Sequence, residues 1–300
     1  MKKFLAVIAL LLLSGCASPA TTSNQSISQD SVSSLSIVNT TTFSVARVVS
    51  LANGVAEIIN ALNAKSILVG RDISSTETAL QDIPIVTSGH QVIPEKVVAL
   101  KPDVVIIDAS TGPSAAIQQI KMAGIRVIQT PESWTLADIP TKVRAVASAI
   151  GAPAQGELLI NKLKKESVAN KVSGNPKIAF LYLRGTSSIY LIGGPGSGAD
   201  SLIQAIGAID VGAQSLKHPF NTLTAESLAA MNPDVLLVMT KGLESVGGVD
   251  GLIKLPGVAQ TTAGKNRAVI DVDDSLLLSF GPRTPSLINQ LAKAVSKVMP

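Results

Sequence analysis

From residue 47 onward, short runs of β-branched and other apolar residues alternate with stretches whose apolar positions recur every three or four residues. The runs at 47–51, 67–70, 104–107 and 127–129 read as strands, and the stretches at 54–62, 95–100 and 114–123 as the helices between them. The series restarts after residue 176, with strands at 177–182, 235–238 and 268–270 and a helix at 199–206. Alternation of this kind predicts parallel sheets covered by helices.

The two series match in sequence as well as in order. Glu95-Lys-Val-Val-Ala99-Leu-Lys-Pro102-Asp103-Val104 lies over Glu226-Ser-Leu-Ala-Ala230-Met-Asn-Pro233-Asp234-Val235 at a constant offset of 131 residues. Each copy is a short helix ended by a proline turn that feeds a buried strand. A second pair, 56–64 with 200–208, falls in the same order relative to the first. The fold class is therefore α/β, two Rossmann-like lobes with parallel sheets.

Between the series, residues 153–172 carry no strand signal. Proline at the first turn, good helix formers behind it and Gly174 beyond predict one long helix, a strut of about 30 Å at 1.5 Å per residue. One helical connection hinges less freely than two or three strands, and the cleft between lobes is the natural ligand site.

The ends set the location. Met1-Lys2-Lys3, an apolar run of about ten residues and Leu13-Ser14-Gly15-Cys16 have the build of a secretory signal, too short to span a bilayer as a helix. The last four residues resemble a lipobox, which makes Cys16, the single cysteine, the lipidated first residue of an exported, membrane-anchored protein. No disulfide or thiolate site is then available. The chain divides into a signal peptide over 1–15, a lipidated cysteine and flexible Ser/Thr/Asn/Gln tether over 16–44, a first lobe over 45–152, a connecting helix over 153–173 and a second lobe over 174–300. A net charge of +4 with interspersed signs and 3% aromatic residues gives no nucleic-acid surface.

Arg47-Val48-Val49-Ser50-Leu51, Val69-Gly70-Arg71-Asp72 and the 95–103 segment resemble the helical-backbone class of ABC importer substrate-binding proteins, which includes receptors for haem, vitamin B12 and siderophores. Gly89-His90, Tyr182-Leu183-Arg184-Gly185, the 196–200 and 239–245 segments and Phe280-Gly281-Pro282-Arg283 resemble its haem-receptor branch. The resemblance implies a monomeric, non-enzymatic receptor. It would bind haem b as transported cargo and deliver it to an ABC permease with its ATPase, on the outer side of the cytoplasmic membrane. It further implies His90 and Tyr182 as axial ligands of the haem iron, with Arg184 supporting Tyr182. Glu95 and Glu226, one per lobe, are implied as permease-docking carboxylates. Both also suit helix starts, where the dipole favours acids.

The residues agree with that chemistry without requiring it. Only two histidines and two tyrosines exist. Neutral imidazole and phenolate are both haem ligands, and Arg184, two residues beyond Tyr182, shares its face of an extended chain. Tyr190 fits a core or a pocket wall, and His218 has no evident partner. Arg71, Lys217 and Arg283 are candidate contacts for the porphyrin propionates.

Two other readings compete. Gly194-Pro195-Gly196-Ser197-Gly198-Ala199 fits the dinucleotide-binding G-x-G-x-x-A pattern, but residues 212–224 offer no second strand ending in an acid. A ferric-siderophore or cobalamin receptor shares every feature except the axial pair. No G-x-S-x-G hydrolase motif occurs.

Overall fold

A computed structural model describes residues 24–38, 42–166 and 170–299. Cys16 and the apolar leader lie outside the described residues. The described strands are β1 (Gln25–Ile27), β2 (Val48–Ser50), β3 (Leu68–Arg71), β4 (Thr87–Ser88), β5 (Gln91–Val92), β6 (Val104–Ile107), β7 (Arg126–Gln129), β8 (Lys177–Arg184), β9 (Ile189–Gly193), β10 (Ile209–Asp210), β11 (Phe220–Thr222), β12 (Val235–Met239) and β13 (Val269–Val272).

The fold is α/β with two lobes, and the repeat is written in the sheets. The first lobe holds an all-parallel sheet in the order β3-β2-β6-β7; in the second, β10-β8-β12-β13 is parallel and reproduces that order. The second sheet departs from the expected all-parallel form where antiparallel β9 and β11 extend it beyond β8. The matched Pro-Asp turns have a common physical role. Asp103 Oδ2 accepts the N–H groups of Ala46 (2.7 Å) and Arg47 (2.9 Å), and its own N–H donates to Arg47 O. Asp234 Oδ2 accepts the Lys177 N–H (2.9 Å), and its N–H donates to Lys177 O. In each lobe the aspartate fastens the entry of the central strand to that of its neighbour.

Two expectations are corrected. Residues 24–38 are not a free tether: β1 pairs in parallel with the open edge of β13, and Ile27 and Val32 are buried in the core. Beyond β1, Gln29 Nε2 donates to both Thr76 of the first lobe and Asp273 of the second. Leu35 N–H donates to Pro282 O and Ile37 N–H to Ala61 O, so the segment straps the two lobes together. Spaced apolar residues in a Ser/Thr background carry little periodic signal, and edge pairing rests on backbone groups that composition does not report. The connecting helix is also shorter than expected, Pro153–Glu166, about 21 Å long. Asn170–Val172 are not helical, and Val172 is buried with its N–H on Ile206 O. Helices Ile139–Ala149 and Thr284–Val298, which the sequence reading did not identify, complete the packing around the strut.

The largest apolar cluster runs from the first lobe (Ile58, Leu62) through the strut (Leu159, Ile160) into the second (Phe180, Leu291). The lobes thus share a core. Polar ties reinforce the junction, where Glu57 accepts from the Arg283 backbone N–H (2.8 Å) and Nη2 (3.0 Å), both side chains buried. Asn53 Nδ2 donates to Leu278 O (3.1 Å) and Lys142 Nζ to Ser279 O (2.8 Å). Gly54, at φ +73, begins the Val55–Ala61 helix against this junction, and a Cβ there would lie 2.5 Å from Ser279 O.

Burial drives the Lys142 pKa down to about 8 from 10.5, with Glu57 and Asp108 opposing the shift. Between those two values the unfolded chain binds more protons than the folded one, so this lysine's contribution to stability rises with pH across that window. The full span corresponds to on the order of 3 kcal/mol. Unfolding of wild type and Lys142→Met at pH 7 and pH 10 should therefore show the wild type gaining relative to the variant at the higher pH. A pH-independent difference contradicts a buried, pKa-shifted ammonium.

Candidate functional site

Parallel strands leave their carboxyl ends facing one direction, where ligands collect in α/β folds. Here the two lobes turn those ends toward a common cleft of about 580 Å³, within the range of small-molecule sites. Each strand of both repeats except β7 and β10 contributes at or within one residue of its end: Leu51, Asp72 and Asp108 from the first lobe, Arg184, Met239 and Asp273 from the second. Leu51, Ile73 and Val92 face the cleft on one side, Met239 and Leu278 on the other, giving apolar surface to each wall.

His90 and Tyr182 line this one cavity from opposite lobes. His90 is exposed at the tip of the β4–β5 hairpin. Gly89 precedes it at φ +55 with no atom within 4 Å of a Cβ position, so the glycine is needed for the two-residue turn rather than for space. The hairpin is seated by Val92 N–H on Gly112 O (2.9 Å) and Ile93 N–H on Val86 O (3.0 Å), which holds the imidazole out over the cleft mouth. Tyr182 is half-buried near the end of β8. Its ring meets Phe220 edge-on at 5.6 Å between centroids and lies under the Arg184 guanidinium, 4.6 Å away. Arg184 is itself held by Asp274 (3.4 Å) and Leu183 O (2.9 Å). A cation over the ring face and an aromatic edge against it fix the phenol's plane.

The remaining polar groups are mostly engaged. Asp108 accepts from Ser110, Thr111 and the Asn53 N–H. Asp72 accepts from Ser74 and Ser75, and burial nevertheless pushes its carboxyl up. Asp273 caps the Asp274–Leu277 helix through Ser275 N–H (2.9 Å).

The structure places several expected site residues elsewhere. Arg71 is buried and spends its guanidinium on the carbonyls of Leu80, Ile83 and Ser75. Arg283 is bound to Glu57 at the lobe junction. Lys217 is exposed and does not line the cleft. None of the three expected propionate contacts is therefore presented to the cavity. Tyr190 packs against the outer core of the second lobe, and His218 is exposed. Glu95 and Glu226 are both exposed at the first turns of the Pro94–Ala99 and Ala225–Met231 helices, outside the cleft. The glycine loop is closed to a pyrophosphate because Asp200 already takes the Gly196 (2.8 Å) and Gly198 (3.1 Å) N–H groups a phosphate would need. The sequence reading did not single out Lys241, which lines the cleft from the Thr240–Ser245 helix.

Known proteins share this two-lobed fold. A family model described as periplasmic binding protein matches residues 48–276. The chain is similar to the periplasmic heme-binding protein RhuT from Roseiflexus sp. RS-1 in apo form, at 37% identity, covering 84% of this chain and 98% of that one with a TM-score of 0.79. It is similar to the heme binding protein HmuT at 33% identity, covering 94% of both chains with a TM-score of 0.75. HmuT has also been solved with a histidine, a tyrosine, or the arginine two residues after that tyrosine replaced by alanine. A relative of 25% identity, covering 96% of this chain and 94% of its own length, is the uncharacterized ABC transporter substrate-binding lipoprotein YvrC of Bacillus subtilis (strain 168). The family and these neighbours are binding proteins.

Proposed function

The chain belongs to the periplasmic binding protein family, and from that premise we propose that it captures haem between its lobes and delivers it to an ABC importer. The observation that carries this reading is the convergence of His90 and the Tyr182–Arg184 pair on one cleft from opposite lobes. These are the residue types altered in the HmuT variants, with the same spacing from tyrosine to arginine. His90 and Tyr182 are the axial ligands, and Arg184 holds the tyrosine ring in place. An iron bound by both ties the lobes together across the porphyrin, whose faces lie on Leu51, Ile73, Val92, Met239 and Leu278. Haem b is the cargo, not a resident cofactor. Glu95 and Glu226 mark the two lobe tops that meet the permease, and Cys16 carries the lipid that keeps the receptor beside it.

Hemin added to the purified protein should give a Soret band and charge-transfer bands of six-coordinate ferric iron. His90→Ala and Tyr182→Phe should each change those bands toward five coordination while much of the affinity survives through the apolar walls. Arg184→Ala should keep both ligands but lose haem faster, because the ring is no longer clamped. Absence of hemin binding, or wild-type spectra in both ligand variants, sinks the axial assignment and favours the siderophore or cobalamin reading.

The docking and anchoring roles have separate readouts. Glu95→Ala and Glu226→Ala should bind hemin normally yet slow uptake in cells, since rim charges govern encounter and register; normal uptake in the double variant contradicts docking. Intact-mass measurement of the native protein should show a lipidated N-terminus at Cys16, and an unmodified start elsewhere refutes the anchor.

A further inference from the structure

The cleft's lining is lopsided in charge. Four carboxylates face it, Asp72 and Asp108 from the first lobe and Asp273 and Asp274 from the second. Three of them directly follow the last residue of a parallel strand, so the acidic character belongs to the base of the cleft, where the sheets end. A carboxylate ligand group brought to that base would meet like charge at short range in a partly desolvated site, where repulsion is weakly screened. The donors that could have offset it are spent. Ser74 and Ser75 donate to Asp72, Ser110 and Thr111 to Asp108, and Ser275 to Asp273.

Cations are few. Arg184 is committed to Asp274, Leu183 O and the Tyr182 ring. Lys142, Arg71 and Arg283 are turned into the protein. Among the described residues that leaves Lys241, which lines the cleft, is exposed, and has no ion pair or hydrogen bond on its ammonium. Its backbone is nevertheless fixed, because its N–H donates to Asp274 Oδ1 (3.0 Å), the carboxylate that also holds Arg184. Thr186, on the turn packed against the same helix, adds a hydroxyl on that side of the cavity.

Resting on the haem reading above, we propose that Lys241 is the carboxylate anchor of the cleft: it pairs with a porphyrin propionate and draws the carboxylate edge to its own side of the cavity. The orientation makes the receptor selective for tetrapyrroles with free carboxylates. One charge-assisted hydrogen bond of this kind corresponds to roughly a tenfold effect on affinity.

The test is a Soret titration of wild type, Lys241→Ala and Lys241→Arg with hemin and with hemin dimethyl ester. Wild type should prefer hemin over its ester about tenfold. Lys241→Ala should lose that preference by weakening hemin alone, with the ester unchanged, and Lys241→Arg should keep it. If wild type binds hemin but Lys241→Ala binds it equally well, or weakens hemin and ester alike, the lysine's role is overturned while the haem reading stands. If wild type shows no Soret band with hemin, the haem reading fails and this proposal falls with it.

Discussion

The architecture depends on how the segment 278–283 is held against the first lobe. Its carbonyls at Leu278 and Ser279 accept from Asn53 and Lys142, and Arg283 is paired with Glu57 through both backbone and side chain. A buried ion pair is weak evidence for net stability, because desolvation offsets much of the attraction, but removing one partner is costly. Its value here is positional. Together with a core that runs unbroken through the strut and a strap that touches both lobes, it sets the separation of the two walls before any ligand arrives. A preformed cleft loses less ordering entropy on binding than one assembled by large domain motion.

Given that frame, the site follows from strand geometry. Repeating one βαβ order in two lobes and turning the carboxyl ends inward places loop residues from both at one cavity. Each lobe then supplies one half of the proposed axial pair, His90 from the first and Tyr182 from the second. Neither half is complete: an exposed hairpin histidine has no fixed partner, and a tyrosine under an arginine is by itself an ordinary half-buried ring. They reach one cavity only because the two lobes bring their strand ends together.

Much of this was legible in the residues. The repeat could be read because Pro102-Asp103 and Pro233-Asp234 do the same backbone work, and a role fixed by covalent neighbours leaves a local signature. His90 and Tyr182 were singled out by the resemblance to haem receptors, and the structure shows that both line the one cleft. The strap was missed because edge pairing uses backbone groups that any side chain permits. Arg71 and Arg283 were expected at the cleft because the residue type is right for propionates; nothing local reveals that carbonyls and Glu57 consume their donors. Phe280-Gly281-Pro282-Arg283, part of the resemblance to haem receptors, is accounted for by the lobe junction: Gly281 packs beside the Glu57 carboxylate and Arg283 binds it. Lys241 lay inside a recognised segment but became distinct only once its neighbours were seen to be engaged.

The proposed function turns on an iron held between the lobes by His90 and Tyr182. The most direct measurement is anomalous X-ray scattering at the iron edge from crystals of the hemin-loaded protein. The expected result is an iron peak in the cleft within coordinating distance of the His90 imidazole and the Tyr182 oxygen, with Arg184 still over the ring. An iron peak outside the cleft, or in it but bound by neither residue, would overturn the axial assignment.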